Sequence, residues 1–261
     1  SGKHLVYIPP CLIRKVLYFH HGLPMVGHSG TIRLKQVLRE KFVWKDMTNH
    51  INAWCFTCPC KEYKLHRPLR QGLSLPILSP YPFHTVGIDI YSGLCKDSEG
   101  YEHVLSIIDI FSRWIILVAL KTLDSESILI ALQDNLICNH SCVRRIWSDR
   151  GTSLISKAVH EWCDYLNIEK IETTGWQPQA NGHVENFHKF LKVSVKNLTK
   201  DHPELWRFYL PDIQFSHRIF INRSTGYSPF YIIYGRLPVL PFHLTLPFLA
   251  NPIINNYADY V

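Results

Sequence analysis

Three acidic side chains in short local signatures carry the chemistry of this chain: Asp89 in GIDIYSG, Asp149 in SDRG and Glu185 in ANGHVEN. Thirty-five residues separate Asp149 from Glu185. A carboxylate trio of this kind can hold two divalent cations against a phosphodiester, which is the chemistry of nucleotidyl transfer on DNA. Hard oxygen donors suit Mg²⁺ or Mn²⁺ rather than zinc. Each acid also has a plainer use. Asp149 could cap the backbone of a turn, and Glu185 could serve a helix N-terminus through the macrodipole. Asp89 is hardest to explain away, because a charge in the middle of an apolar strand is costly unless it is paired or bound to metal. Asp109, at another strand end, competes for its role.

A second constellation is made of soft and borderline donors. His21-x6-His28-x26-Cys55-x2-Cys58 offers two imidazoles and two thiolates, a closed tetrahedral set for Zn²⁺. His20 and Cys60 are rival ligands one or two positions away, and the x2 spacing favours Cys58. A region of about 45 residues can hardly build a sufficient core, so a structural metal gives it a reason to fold.

A basic helix face forms the third feature. Lys189, Lys192 and Lys196 stand at +4, +7 and +11 from Glu185, all on one side of a helix. Their ordinary alternative is a solvated face. In contact with DNA they would set position and salt dependence rather than sequence choice.

The elements that must position these groups change character along the chain. LIRKVLYFHH and HSGTIRLKQVLREKFVW, within 11–54, carry apolar residues at helical spacing, and Ser29 or Thr31 is available as the second helix's N-cap. Residues 61–82 lack periodicity and are rich in Pro and basic side chains, as in a linker. HTVGIDIY, EHVLSIIDIF and RWIILVAL then predict a meander of antiparallel strands. A helix capped by Asp124 or Ser125 follows, then strand VRRIWSD, helix KAVHEWCDYL, strand IEKIETT and two helices over 181–199 and 204–222. Glu185 is expected in the first turn of the former, after the breakers Gly175, Pro178 and Gly182. Three strands followed by αβαβαα is the element order of an RNase H-like α/β domain with a mixed five-stranded sheet. The expected organisation is an all-α zinc-binding domain over 1–64, a linker over 65–82, the catalytic core over 83–235 and an extension over 236–261.

Composition agrees without deciding. A net charge of +7, from 28 Lys+Arg against 21 Asp+Glu, favours a polyanionic partner. Eight cysteines clustered only at 55–60 fit a metal site better than a disulfide framework. The longest apolar run, WIILVAL, is far short of the ~20 residues that span a bilayer. The first residue is not Met and the last segment is Pro-rich, as expected of an excerpt from a longer polypeptide.

HHGLPMVGHSG (20–30), WCFTCPCKEYK (54–64), SDRGTSLIS (148–156), GWQPQANGHVENFHKFL (175–191) and STGYSPFYIIYGRLPVLP (224–241) resemble, in order, the landmarks of integrases from gypsy-type LTR retrotransposons, whose plan retroviral integrases share. The resemblance implies that His21, His28, Cys55 and Cys58 bind zinc, and that Asp89, Asp149 and Glu185 bind the catalytic Mg²⁺ or Mn²⁺ ions. It implies lysine contacts to the element's terminal DNA at the +4 and +7 positions, Lys189 and Lys192. It also implies trimming of the element's 3′ ends and their joining to host DNA, by a multimer on paired double-stranded DNA ends in the nucleus. Departures lie beside the active site: His183-Val184 precede Glu185, Asn186 stands where Arg is frequent, and Gln177 where His often precedes Pro-Gln. FSHRIFINRSTG lacks the usual Tyr-Asn pair, and the small C-terminal barrel or chromodomain of full-length relatives is expected to lie outside this excerpt. Two other functions remain open: a domesticated or inactive integrase that only binds DNA or protein, and an RNase H-like nuclease that uses water.

Overall fold

A computed structural model describes residues 5–60, 79–149, 151–172, 178–200 and 202–240, with only the backbone over 178–186. Most of the expected linker therefore lies outside the described residues. The chain divides into two compact units, residues 1–62 with 215–261, and residues 63–214.

In the first unit, strand β1 (Val6–Tyr7) and helix α1 (Pro10–Leu17) lead into a π-helical turn at Tyr18–Gly22. Helix α2 (Thr31–Lys41), strand β2 (Phe42–Val43) and helix α3 (Met47–Thr57) follow. Pro9 and Pro10 suit the start of α1, where no amide need be donated. The N-cap of α2 is Gly30, without a side-chain cap, instead of the expected Ser29 or Thr31. Ser29 is buried, and its carbonyl accepts a hydrogen bond from the His21 ring. Val16, Leu17, Leu34, Leu38, Phe42, Trp44, Met47, Ile51 and Cys55 form one apolar cluster with Ile8. Residues from Phe215 onward, expected with the sheet, group here instead: Ile219, Phe220 and Leu240 bury apolar surface against Val26.

The second unit is built on a five-stranded sheet in the order β5-β4-β3-β6-β7. Strands β3 (Thr85–Tyr91), β4 (His103–Asp109) and β5 (Ile115–Leu120) form the antiparallel meander. Helices α4 (Ser125–Leu132) and α5 (Cys138–His140), joined by a π-helical turn, precede β6 (Arg145–Ser148). Helix α6 (Lys157–Tyr165), β7 (Glu169–Glu172) and α7 (Pro178–Leu198) follow, and α8 (Leu210–Ile219) starts in this unit, while its last residues and α9 (Pro229–Tyr234) belong to the first. Asp124 caps α4, its carboxylate accepting from the Ser127 amide at 2.8 Å. Strand β6 pairs in parallel with β3, and β7 with β6. The arrangement is RNase H-like.

Helix α7 is held by a stripe. Phe187, Leu191 and Val195, four residues apart, pack with Val104 and Ile108 of β4, Ile115 and Leu117 of β5, and Trp206, Leu210 and Ile213. Helix α7 begins at Pro178 and includes Gly182, so Glu185 is its eighth residue instead of lying in the first turn. The macrodipole acts mainly within that first turn, so it offers Glu185 little. Leu191→Ala should therefore cost about 2–5 kcal/mol of stability. Exposed Lys192→Ala should stay within about 0.5 kcal/mol, and chemical denaturation of both variants checks the register.

Candidate functional site

The two acids on the sheet are brought together by pairing. Parallel β3 and β6 align Ile88 with Ser148, so Asp89 and Asp149, each one residue further on, are register neighbours. Neighbouring strands run about 4.8 Å apart, so both carboxylates belong to one end of the sheet. Asp89 Oδ1 accepts the Ile90 amide at 2.7 Å, and Asp149 Oδ1 accepts the Gly151 amide at 2.9 Å. Asp149 thus makes the turn contact of its plainer use, with its other oxygen still able to serve a cation.

Glu185 sits on α7, and its side chain lies outside the described residues. One turn further along, His188 meets Asp89, Nδ1 to Oδ2 at 3.3 Å. Helix α7 is therefore anchored to β3 next to the first acid. Burial pushes the His188 imidazole down to about 4, the charge of Asp149 opposing. The ring is neutral near pH 7, so the approach to Asp89 is a polar contact rather than an ion pair. Lys170 of β7 donates to Ser148 Oγ at 2.7 Å, immediately before Asp149. Burial lowers the Lys170 pKa, while Cys163, Glu172 and Asp149 oppose it.

Asp109 does not compete for the site. It pairs with Val86, three residues before Asp89, and is almost fully buried. Its oxygens accept from the Phe83 amide at 3.0 Å, the Ser112 amide at 2.9 Å and the Ser112 hydroxyl. Burial raises its pKa and these donors lower it. Asp109 is the pin of the β4–β5 turn.

The exposed face of α7 carries Lys189, Lys192 and Lys196, all three exposed. Arg145, the first residue of β6, is tied to Glu169 of β7 at 2.6 Å.

The His/Cys cluster belongs to the first unit. Ligand atoms of His21, His28, Cys58 and Cys60 all lie within 4.8 Å of one another. Three of the four expected ligands are there, and Cys60 stands in the place expected of Cys55. The reason lies in α3: Met47, Ile51 and Cys55 form its buried i, i+4, i+8 stripe. Cys55 packs into the apolar cluster. Its Sγ is 3.8 Å from His21 Nδ1, the nitrogen already directed at the Ser29 carbonyl, 3.1 Å away. Donation from that Nδ1–H leaves His21 Nε2 as the ligand atom, and Cys60 Sγ lies 3.6 Å from it. Helix α3 ends at Thr57 and the chain turns extended at Cys58, whose Sγ is 3.4 Å from His28 Nδ1. Zinc–sulfur and zinc–nitrogen bonds of about 2.3 and 2.0 Å imply tetrahedral edges of roughly 3.4–3.8 Å, so both distances fit. Gly27 and His28 both have left-handed φ angles, +59° and +46°, to turn the second imidazole inward. A Cβ at Gly27 would collide with the Ser216 side chain. His20, the rival imidazole, bonds the Val16 carbonyl at 2.9 Å and packs edge-on to Phe42. It is a core side chain.

Zinc content discriminates the two cysteine assignments. Purified Cys60→Ala and Cys58→Ala chains should lose their zinc by elemental analysis, while Cys55→Ala should retain it at some loss of packing.

Comparison with known proteins finds two known domains in the chain. The integrase zinc binding domain matches residues 8–65, and the integrase core domain matches residues 80–174. The retrovirus-related Pol polyprotein from transposon 412 of Drosophila melanogaster is 20% identical over 230 residues, covering 88% of this chain and 19% of the polyprotein. The transposon Tf2-3 polyprotein of Schizosaccharomyces pombe is 22% identical over 254 residues, covering 96% and 19%. The chain thus spans about a fifth of the length of these curated relatives. One solved structure, the simian T-cell lymphotropic virus intasome in complex with PP2A regulatory subunit B56 gamma, has a chain that shares the fold. Its TM-score is 0.56 at 18% identity, over 84% of this chain and 76% of that one. With an integrase zinc-binding domain, an integrase core and polyproteins of retrotransposons as its homologues, the chain belongs to the integrases of LTR retrotransposons and retroviruses.

Proposed function

We propose that the chain is the integrase portion of a retrotransposon polyprotein, trimming the 3′ ends of element DNA and joining them to host DNA. The observation that carries this reading is the β3–β6 register, which makes Asp89 and Asp149 neighbours at one end of the sheet. Helix α7, which bears Glu185, is fastened beside them through His188.

Asp89, Asp149 and Glu185 would hold two Mg²⁺ or Mn²⁺ ions, which supply Lewis-acid chemistry: activation of a DNA 3′-hydroxyl or water and stabilisation of the departing 3′-oxygen. The chain's own part is geometric and electrostatic. Two carboxylates presented by a rigid sheet, with one oxygen of each already fixed by a backbone amide, need little reordering to bind. Lys189, Lys192 and Lys196 would lie along the phosphates of an element end, giving affinity that weakens with salt. No side chain need bond to DNA covalently, since the nucleophile is the DNA hydroxyl in joining and water in trimming.

The tetrahedral set of His21, His28, Cys58 and Cys60 suits one structural Zn²⁺ holding the helices of the first unit. The chain would act as a multimer on paired double-stranded DNA ends, in the nucleus, where the host DNA is.

A strand-transfer assay with a pre-cut element end, paired with disintegration on branched DNA, tests the reading. Wild-type protein with Mg²⁺ or Mn²⁺ should give joined products. Asp149→Asn should lose at least about 10³-fold, since the charge stabilisation supplied by such ions is worth several kcal/mol. Cleavage without joining would point to the nuclease instead.

A further inference from the structure

Asp89 is held at both its ends. Its carbonyl accepts the Ser106 hydroxyl at 2.9 Å, from the residue directly opposite on β4. Its carboxylate faces His188 Nδ1 at 3.3 Å. The same imidazole has Nε2 2.7 Å from Ser106 Oγ; with the proton of the neutral ring on Nδ1, toward Asp89, Nε2 accepts, and the one Ser106 proton is shared between Nε2 and the Asp89 carbonyl. The Ile90 amide fixes the other carboxylate oxygen at 2.7 Å. The His188 side chain is only 16% exposed, and its ring stands edge-on to Tyr91 at 5.7 Å, which restricts its rotamer.

A single imidazole thus does two things. It aims the Asp89 carboxylate, and it sets the helix that carries Glu185 against the strand that carries Asp89. His188 is three positions after Glu185, less than one helical turn, so any slide of α7 along β3 would break the His188 contacts and displace the third acid together. Nothing in a metal-binding trio requires histidine at this place; an apolar residue would fill the volume.

We propose that His188, with Ser106 as its support, is a positioning residue that preorganises Asp89 for divalent-cation binding and locks α7 in register with β3. The proposal rests on the reading of Asp89 as a metal ligand. Groups that orient a metal ligand commonly matter about 10- to 100-fold in metal affinity, and that is the effect expected here. The two ring nitrogens can be separated by substitution. Asn places an amide near Nδ1 and can still donate to Asp89. Gln places one near Nε2, which keeps the Ser106 contact and gives up the carboxylate.

The test is Mn²⁺ binding to the zinc-loaded full chain, by calorimetry and by the metal-induced rise in Tm, for wild type, Asp89→Asn, His188→Phe, His188→Asn and His188→Gln. His188→Phe and His188→Gln should weaken Mn²⁺ binding by about 10- to 100-fold. His188→Asn should restore most of it. A role in packing alone would lower the metal-free Tm, leave the Mn²⁺ titration of the folded protein in place and show no rescue by Asn; that result overturns the proposal. If His188→Phe does not fold, the Asn and Gln variants decide, because equal affinities for the two also overturn it. Wild-type protein without any Mn²⁺ binding that Asp89→Asn removes would overturn the metal-site reading itself, and this inference with it.

Discussion

The parallel pairing of β3 with β6 is the constraint on which the acidic site depends. It joins two segments 60 residues apart in sequence and makes Asp89 and Asp149 neighbours. Like charges on adjacent strands repel, so the pairing of these strands carries a cost that backbone donors or a cation must offset. The sheet answers with the Ile90 and Gly151 amides, one to each acid. Strands β4 and β7 bear the supports, Ser106 to Asp89 and Lys170 to Ser148. The outer elements thus serve the central pair: β4 and β7 brace it, and α7 brings up His188 and Glu185.

The two units offer donors of different type. Imidazole and thiolate in the first suit zinc, and carboxylates in the second suit Mg²⁺ or Mn²⁺. Burial sharpens the difference. His21 and Cys60 are nearly fully buried, as befits a closed structural centre. The Asp89 side chain keeps 23% of its exposure, so its carboxylate is the more open of the two sets of donors. The zinc module has a core of its own, yet it spans only about 60 residues, where apolar burial alone leaves little margin.

Much of this was legible in the residues, for physical reasons. The meander showed because β-rich runs broken by turn residues have few other readings, and Asp124 showed as a cap because its carboxylate meets a free amide three residues on. Cys55 misled because the Cys-x2-Cys spacing presumes a turn where the chain is still helical. The competing signal was present in Met47, Ile51 and Cys55, a four-residue apolar period that assigns Cys55 to the core. The start of α7 misled in the same way: Gly182 reads as a breaker, yet the helix runs through it because the Phe187-Leu191-Val195 stripe holds the rest. His188 had a weak signal, a polar ring one turn past Glu185. Its partner Ser106 lies 82 residues away and becomes visible only through the pairing of β4 with β3.

The most direct measurement is anomalous-difference density from crystals of the zinc-loaded chain soaked in Mn²⁺, collected near the manganese edge. The account predicts manganese between the Asp89 and Asp149 carboxylates, close to α7 at Glu185. Manganese absent from that position, with the two carboxylates turned away from each other in well-ordered density, would contradict it.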